Sequence, residues 1–370
     1  MGERPVNLFE YEARAQASLA QEQFDFIAGG AGDELSIRRA RAVFDSILVR
    51  GRVLADVSTI DTSTTVLGQP MAAPVLLAPA GFHDRAHPDA EAATARAAAT
   101  AGLIMVASVN SALTLEDIGL STSGPKWFQQ SLYADRDLTL ELAARAQVAG
   151  YAALCVTLDS PPYAPRRERD IRNRYRQAGS PNFAATGRSG VDRAATWDDL
   201  AAFVARAAVP VVAKGITHAD DAESCVQAGA AAIVVSAHGG RNLDTAPAPI
   251  EVLPEIVDQV AGRAEVLVDG GVRRGTDIVK AIALGARAVL VGRPIFWGLA
   301  AGGADGLGGL LDILQAELRV AMALCGRPTV GSIGPDSVAL ESPLTVYARE
   351  SGLAAPSAHQ PADRPRGRHQ

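Results

Sequence analysis

The sequence predicts an α/β protein, a (β/α)₈ TIM barrel with an N-terminal helical segment capping one mouth, and three observations favour this fold. Eight short apolar runs recur between residues 74 and 293. Alanine-rich helical patterns that close near a glycine follow these runs. The runs are continuously apolar, which is typical of parallel strands covered on both faces. Eight such units in about 250 residues match the size of this barrel.

The predicted elements follow one another in a regular order. Strands are predicted at 74–80, 103–108, 126–132, 152–159, 209–215, 231–237, 264–270 and 287–293. Helices are predicted at 87–102, 138–150, 218–230, 249–262, 275–286 and 309–326. A doubly wound open sheet is the alternative architecture, but no G-x-G-x-x-G follows the first strand, which disfavours it.

Four segments are predicted along the chain. Residues 1–73 form the helical segment and cap, residues 74–330 the barrel, and residues 331–353 a C-terminal extension, while 354–370 is polar, Pro-rich and predicted to be disordered. The stretch Arg174–Thr196 is the longest connection without a predicted element. We expect it to lie over the mouth formed by the carboxyl ends of the strands.

Composition favours a small-molecule substrate. The 370 residues include 35 Lys and Arg against 41 Asp and Glu, which gives no support for a nucleic acid or an anionic membrane as partner. The three cysteines form no C-x-x-C pattern, so neither a disulfide framework nor a metal site is indicated. The charged N-terminus and the absence of a long apolar segment predict a cytoplasmic protein.

The stretch VVSAHGGRNLD places a histidine and an arginine at the carboxyl end of the sixth predicted strand, where barrel active sites lie. Neutral imidazole suits the acceptance of a proton near neutral pH. A guanidinium binds a carboxylate through two parallel hydrogen bonds. His238 and Arg241 therefore indicate an acid substrate activated beside its carboxyl group. The alternative is that His238 caps a turn and Arg241 pairs with Asp244.

The seventh and eighth strands end in VDGGVRRGTD and VGRPIFWG. These two loops are the ones that bind phosphate groups in many barrels, through backbone N–H groups and basic side chains such as Arg273 and Arg293. A phosphate site beside a carboxylate-binding pair predicts a phosphorylated cofactor.

With these motifs the sequence resembles the FMN-dependent α-hydroxy acid oxidases and dehydrogenases, the family of glycolate oxidase, lactate oxidase, mandelate dehydrogenase and hydroxymandelate oxidase. The resemblance runs from about Phe9 to Gly326. It rests on SAHGGRNLD, DGGVRRGTDIVKAIALGA and GRPIFWGLAAGG, supported by AHPDAEAATARAA, WFQQ, VTLDSP, RRERDIRNRY and VAKGI in the family's order.

The resemblance implies a role for each matching residue. His238 is the catalytic base, Asp159 orients it, and Lys214 places positive charge near the flavin. Arg241 and Arg167 bind the substrate carboxylate, although one extra residue in the spacing leaves Arg166 as an alternative to Arg167. The implied contacts of the flavin ring and ribityl chain are Ala80, Gly81, Ser108, Gln129, Thr157 and Ser236, and those of the ribityl and phosphate end are Asp269, Gly271, Arg273, Gly292 and Arg293.

The implied reaction converts R–CH(OH)–COO⁻ to the 2-oxo acid, with two electrons passing to FMN and then to oxygen or another acceptor. Whether His238 takes the α-C–H proton or the hydroxyl proton stays open, as does the choice between oxidase and dehydrogenase. Family members are often tetramers or octamers, so a homo-oligomer is expected.

Several departures from the family pattern concern the substrate. Phe26 and Ser131 stand where the family usually has tyrosines, and Tyr133 or Tyr163 is a candidate substitute. Asn110 replaces an aromatic residue that often shapes the pocket, and the Arg174–Thr196 connection is short for the family. These changes favour a bulky or aryl hydroxy acid, or another α-substituted acid of secondary metabolism. A non-oxidative FMN barrel such as an isomerase, and a flavin-binding protein with weakened catalysis, are the alternatives.

Overall fold

The structure is a computed structural model that describes residues 4–159, 165–174, 179–183 and 190–340. Its strands are β1 (Ile47–Val49), β2 (Thr64–Val66), β3 (Gln69–Met71), β4 (Val75–Leu77), β5 (Ile104–Ser108), β6 (Lys126–Ser131), β7 (Leu154–Thr157), β8 (Val211–Ile216), β9 (Ala232–Val235), β10 (Glu265–Asp269), β11 (Ala288–Val291) and β12 (Val338–Leu340). Its helices are α1 (Leu8–Ser18), α2 (Gln21–Ala28), α3 (Leu35–Ser46), α4 (Ala90–Thr100), α5 (Leu115–Leu120), α6 (Arg136–Val148), α7 (Glu168–Arg172), α8 (Trp197–Arg206), α9 (Ala219–Gln227), α10 (Pro249–Val260), α11 (Gly275–Ala283) and α12 (Arg293–Leu324).

Strands β4 to β11 form a closed parallel barrel in chain order, with β11 pairing back to β4. The prediction of a (β/α)₈ barrel is confirmed, and each of the eight predicted runs contains one barrel strand. Helices α5, α7 and α8 were not predicted. The first two are short, so they leave little helical periodicity in the sequence.

Alternate residues of the barrel strands enter two separate cores. One set, exemplified by Leu76, Val212 and Leu290, fills the barrel interior together with Trp127. The neighbouring residues face outward and pack under the surrounding helices. Because both faces are covered, the strands read as continuous apolar runs, and side chains able to carry chemistry are left to the strand ends.

The two mouths of the barrel are covered by different parts of residues 4–73. The β2–β3 hairpin closes the amino-terminal mouth, where Val66 joins the interior core and the Leu67 N–H donates to Glu265 Oε2 at 3.0 Å. Helix α2 lies at the opposite mouth, where Phe26 contributes to the cavity described below. The predicted cap is therefore a hairpin, and the helical segment supplies part of the carboxyl-terminal mouth.

The last described strand, β12, pairs with β1, the strand directly after α3. Strand β12 runs antiparallel to β1, with Ile47 opposite Leu340. Residues 341–370 lie outside the described part, so the predicted disorder of 354–370 and the predicted segment boundaries stay predictions. No helix within the described ranges is both long enough and apolar enough to cross a bilayer.

Candidate active site

A cavity with an empty volume of about 900 Å³, part of it open to solvent, lies at the carboxyl ends of the barrel strands. The structure brings together around it the following predicted site residues: Phe26, Ala80, Gly81, Lys214, His238, Arg241, Asp269, Gly271, Arg273, Gly292 and Arg293.

His238 lies on a tight turn directly after β9. His238, Gly239 and Gly240 all have positive φ angles, of 53°, 62° and 71°. The left-handed region is costly for a residue with a Cβ atom, so a histidine held there by its surroundings is typical of a functional position. This turn returns the chain so that His238 and Arg241 line the same cavity.

Asp159 fixes the orientation of the His238 ring. Its Oδ1 lies 2.9 Å from His238 Nδ1. The carboxyl group fits because residue 215 is a glycine: a Cβ atom there would lie 2.5 Å from Asp159 Cγ. Burial opposes ionisation, but the neighbouring His238 and Lys214 hold the pKa of Asp159 below its usual value. An ionised carboxylate therefore accepts from Nδ1, and Nε2 is the ring nitrogen left for a substrate proton.

Lys214, Ser236 and Asp269 form a buried polar group beneath the cavity. Lys214 Nζ donates to Ser236 Oγ at 2.9 Å and lies 3.4 Å from Asp269 Oδ2, to which Ser236 Oγ donates at 2.8 Å. Burial would lower the pKa of Lys214, but Asp269 and Asp159 raise it above its usual value. Lys214 is therefore a fixed cation at the carboxyl end of β8.

A hydrogen-bonded row crosses the carboxyl ends of three neighbouring strands. Ser108 Oγ donates to Gln129 Oε1 at 2.9 Å, and Gln129 Nε2 donates to Thr157 Oγ1 at 2.9 Å. All three side chains are buried, and none is among the residues that line the cavity. The two hydrogen bonds hold the Gln129 amide in one orientation, whereas the amide of a side chain in water would rotate freely.

Arg273 and Arg293, which follow β10 and β11, line the cavity and are partly buried. Burial lowers the pKa of Arg273 to about 10 and that of Arg293 to about 9, so both stay charged at neutral pH. Arg293 donates to the carbonyls of Ile27, Gly29 and Gly239, at 3.1, 3.1 and 2.9 Å. Two partly buried guanidinium groups at one cavity indicate a site for an anion.

Glycine at position 271 is required by space and by backbone angle. Its φ is 86°, and a Cβ there would fall against the Ala40 carbonyl and lie 2.9 Å from Phe44 Cδ2. Arg41 of α3 donates to the Gly271 carbonyl at 2.9 Å and fixes this loop. The backbone after β10 is therefore held in one shape, which suits the close approach of a ligand.

Arg241 reaches the cavity from the loop after β9. Its Nη1 donates to the carbonyls of Phe26 at 2.7 Å and Gly29 at 2.9 Å. Asp244, the alternative partner considered for it, accepts instead from backbone N–H groups at the start of α3, including that of Ser36 at 2.8 Å. Asp244 thus caps a helix.

The remaining predicted substrate residues lie around the cavity without lining it. Arg167 Nε lies 2.9 Å from Asp170, and its side chain is 26% exposed, whereas that of Arg166 is 75% exposed. This difference favours Arg167 over Arg166 as the binding residue. Ser131 ends β6 as a buried residue, and Asn110 packs against Gly81.

Tyr133, one of the two tyrosines considered as substitutes, is not among the residues that line the cavity. Tyr133 lies in the hydrophobic core and meets the Phe183 ring edge-on, with ring centroids 5.6 Å apart. Burial raises the pKa of its phenol. This position in the core does not support the placement of Tyr133 among the substrate residues. Tyr163 lies outside the described residues.

Three residues near the site were missed by the sequence analysis. Arg85, in the turn after β4, packs against the Phe26 ring. Gly215 makes room for Asp159, and Arg169 binds Glu34 through two hydrogen bonds of 2.8 Å, joining α7 to the turn before α3. The sequence motifs did not indicate a role for these three residues, because each acts through a partner that is distant in sequence.

The residues present fit FMN. Asp269 Oδ1 is buried and has no hydrogen-bond partner within the described ranges, which leaves an acceptor for a hydroxyl group such as those of a ribityl chain. The guanidinium groups of Arg273 and Arg293, which line the cavity, match a phosphate, and Lys214 is a cation beside the cavity. Fold and site together define a flavin-binding (β/α)₈ barrel enzyme.

Comparison with known proteins agrees with this class. The family described as FMN-dependent dehydrogenase matches residues 15–340. An L-lactate oxidase from Nostoc is 48% identical over 346 residues, which cover 87% of this chain and 94% of that protein. A peroxisomal (S)-2-hydroxy-acid oxidase from Oryza sativa is 44% identical, covering 91% of this chain and 96% of the relative. A crystal structure of mandelate oxidase has a TM-score of 0.85 at 42% identity, covering 90% of this chain and 98% of the other.

The chain therefore belongs to the FMN-dependent dehydrogenase family. Its cofactor is FMN, and it is an enzyme that acts on the CH–OH group of a 2-hydroxy acid.

Proposed function

We propose that this enzyme oxidises a bulky or aryl 2-hydroxy acid to the 2-oxo acid, with His238 as the base and Arg241 binding the carboxylate. The observation that carries the proposal is the cavity shared by His238 and Arg241, together with the 2.9 Å contact that orients the His238 ring. One site thus offers a proton acceptor and a carboxylate-binding cation.

His238 would take a proton from the substrate on Nε2. The carboxylate of Asp159 fixes the ring and stabilises the imidazolium that forms, which is the usual benefit of such a pair. Asp159 is ionised at neutral pH because His238 and Lys214 hold its pKa down against burial. The proton can come from the α-carbon or from the hydroxyl group, and both routes use the same pair.

Arg241 would bind the substrate carboxylate, with Arg167 as a second cation near the mouth. Each oxidation releases two electrons and two protons from R–CH(OH)–COO⁻. FMN, when bound, supplies the acceptor for those two electrons. Lys214, a buried cation, favours negative charge that develops beside it.

A bulky or aryl substrate is supported by the mouth of the cavity. Phe26 supplies an apolar ring where a phenol would add a polar group, and Ser131 is smaller than a tyrosine. Mandelate oxidase, whose TM-score with this chain is 0.84 in a structure with benzoyl-formic acid, carries an aryl ligand of this kind. Oxygen is the proposed final acceptor, because the similar relatives are oxidases.

The test is anaerobic mixing of the FMN-loaded enzyme with a panel of 2-hydroxy acids, read as bleaching of the flavin absorbance. We expect mandelate-like acids to bleach it faster than glycolate. His238→Ala should keep its FMN and lose bleaching by about 10²- to 10⁴-fold. Equal bleaching by His238→Ala and wild type would remove His238 from the mechanism, and no bleaching by any hydroxy acid would favour a non-oxidative or catalytically weakened barrel.

Two further proposals concern the protein in the cell. We propose a cytoplasmic location and, based on the family, a homo-oligomer of four or eight copies. Sedimentation of the purified protein and fractionation of source cells test them, and a monomer or an organellar protein would contradict them.

A further inference from the structure

We propose that Phe26 and Arg85 are positioning residues that hold the substrate-binding guanidinium of Arg241. The three side chains form one group, the Arg85–Phe26–Arg241 cluster. The Cζ atom of Arg241 lies 5.0 Å from the centroid of the Phe26 ring, and that of Arg85 lies 4.7 Å from the same centroid. This inference rests on the proposed function in one respect, namely that Arg241 binds the carboxylate.

Phe26 holds Arg241 in two independent ways. Its ring attracts the guanidinium through its electron-rich face, and its backbone carbonyl accepts from Arg241 Nη1 at 2.7 Å. The Gly29 carbonyl accepts from the same nitrogen at 2.9 Å. The carboxyl end of α2 therefore binds one nitrogen of the fork, which fixes the direction of the other nitrogens.

Arg85 reaches the Phe26 ring from the barrel itself. It is the last residue of the short turn His83–Arg85, which follows β4. The residue before this turn, Phe82, has a φ of 61°. Buried Glu91 holds this turn, because its Oε1 accepts the His83 N–H at 3.0 Å. A cation presented from a fixed turn thus packs against a ring on α2, a separate segment, and ties the two together at the cavity.

The cluster gives position 26 a function that does not need a hydroxyl group. A tyrosine would donate a hydrogen bond to the carboxylate, whereas a phenylalanine contributes only its face and its apolar volume. Arg85 holds the ring in place, and the ring fixes the cation that binds the carboxylate. The cluster should therefore govern the affinity for the carboxylate and leave the proton transfer at His238 unchanged.

The experiment measures the binding of a carboxylate to the FMN-loaded enzyme by its perturbation of the flavin absorbance. Benzoylformate is the probe, because a 2-oxo acid is not oxidised. We expect Arg85→Met and Phe26→Leu each to raise the dissociation constant about 2- to 30-fold, with the same rise in KM for the best hydroxy acid and little change in kcat. Phe26→Tyr keeps the aromatic face and should bind at least as well as wild type.

A double variant separates cooperation from independent effects. If Arg85 acts through the ring, Arg85→Met together with Phe26→Leu should bind little worse than Phe26→Leu alone. The matched control is Phe9→Leu on α1, where Arg274 Cζ lies 5.3 Å from the ring and neither residue is among those that line the cavity. This control removes an arginine–aromatic contact of the same kind and should leave the dissociation constant unchanged.

Arg241→Lys distinguishes a failure of the proposed function from a failure of the inference about the cluster. If Arg241→Lys binds benzoylformate as tightly as wild type, the proposed function is wrong. If Arg241→Lys binds weakly but Arg85→Met and Phe26→Leu bind like wild type, or lose only thermal stability, the cluster does not position Arg241 and the inference is overturned. Should Phe26→Leu fail to fold, Arg85→Met decides the matter alone.

Discussion

The cofactor end and the substrate end of the cavity are built from different parts of the chain. At the cofactor end, Gly271, Arg273 and Arg293 come shortly after strands β10 and β11 of the barrel, and Gly271 is packed without room for a Cβ atom. At the substrate end, Phe26 comes from α2 and Arg167 from α7, and ion pairs between partly exposed side chains hold these helices. The end that binds FMN is thus part of the barrel. The end that meets the substrate lies on helices attached to the barrel.

The largest effect should come from filling the space at Gly271. Gly271→Ala would strain a backbone with a φ of 86° and place a methyl group against Ala40. We expect an insoluble protein or one that elutes without FMN, as read by the ratio of flavin to protein absorbance. The control is Gly68→Ala, where φ is 75° but nothing lies within 4 Å. That variant should lose only about 1 kcal/mol of unfolding free energy and keep its FMN. If both variants lost FMN equally, the backbone angle and not the available space would be the cause.

Asp159→Asn should rank next, because it acts on the chemistry and leaves the cofactor end intact. We expect kcat to fall about 10²- to 10⁴-fold with normal FMN content, as measured by steady-state oxidation. A change confined to KM would contradict the role of Asp159 as the partner of His238.

The same variant makes a prediction about pH. His238 and Lys214 depress the pKa of Asp159 in the folded protein despite its burial. A depressed pKa stabilises the folded state above the unfolded value of about 3.9 and ceases to do so as the pH falls through the folded value. The difference in unfolding free energy between wild type and Asp159→Asn should therefore stay constant from pH 8 to 5 and shrink below about pH 4. Denaturant titrations measure it, and a difference that shrinks already above pH 6 would contradict the shift.

Ser236→Ala tests the polar group at the cofactor end with a smaller change. The hydroxyl accepts from Lys214 Nζ and from the His238 N–H, and donates to Asp269. Its loss should cost about 1–3 kcal/mol of unfolding free energy and weaken FMN binding, as measured by denaturant and by flavin fluorescence. Ser46→Ala, which removes an exposed hydroxyl, is the control. Identical results for the two serines would show that the buried group is not needed.

The smallest effect is expected at the substrate end. Arg169→Gln removes the paired hydrogen bonds to Glu34, but the Arg169 side chain is 35% exposed, so the pair is screened by solvent. We expect KM to rise about threefold with a loss of stability below about 1 kcal/mol and no change in FMN content. Arg263→Gln at the exposed pair with Glu223 is the control. A loss of FMN from Arg169→Gln would erase the contrast between the two ends.

Much of the cofactor end was predictable from sequence. Continuous apolar runs identify barrel strands, and residues at or shortly after the carboxyl ends of these runs emerge at the mouth, as Lys214, His238 and Arg273 do. The substrate end was harder to predict. The chain gave no signal that Arg85 meets Phe26 or that Tyr133 turns into the core, because those contacts depend on how separate segments pack.

The sequence by itself determined the barrel, the cofactor and the identity of the groups at the strand ends, because strand periodicity and local motifs need only neighbours along the chain. Only the tertiary structure decided which of these groups meet. The 2.9 Å contact between Asp159 and His238 joins residues 79 positions apart, and that between Arg241 and Phe26 joins residues 215 apart. The closed barrel brings distant strand ends to one mouth, and packing against that mouth sets the place of α2.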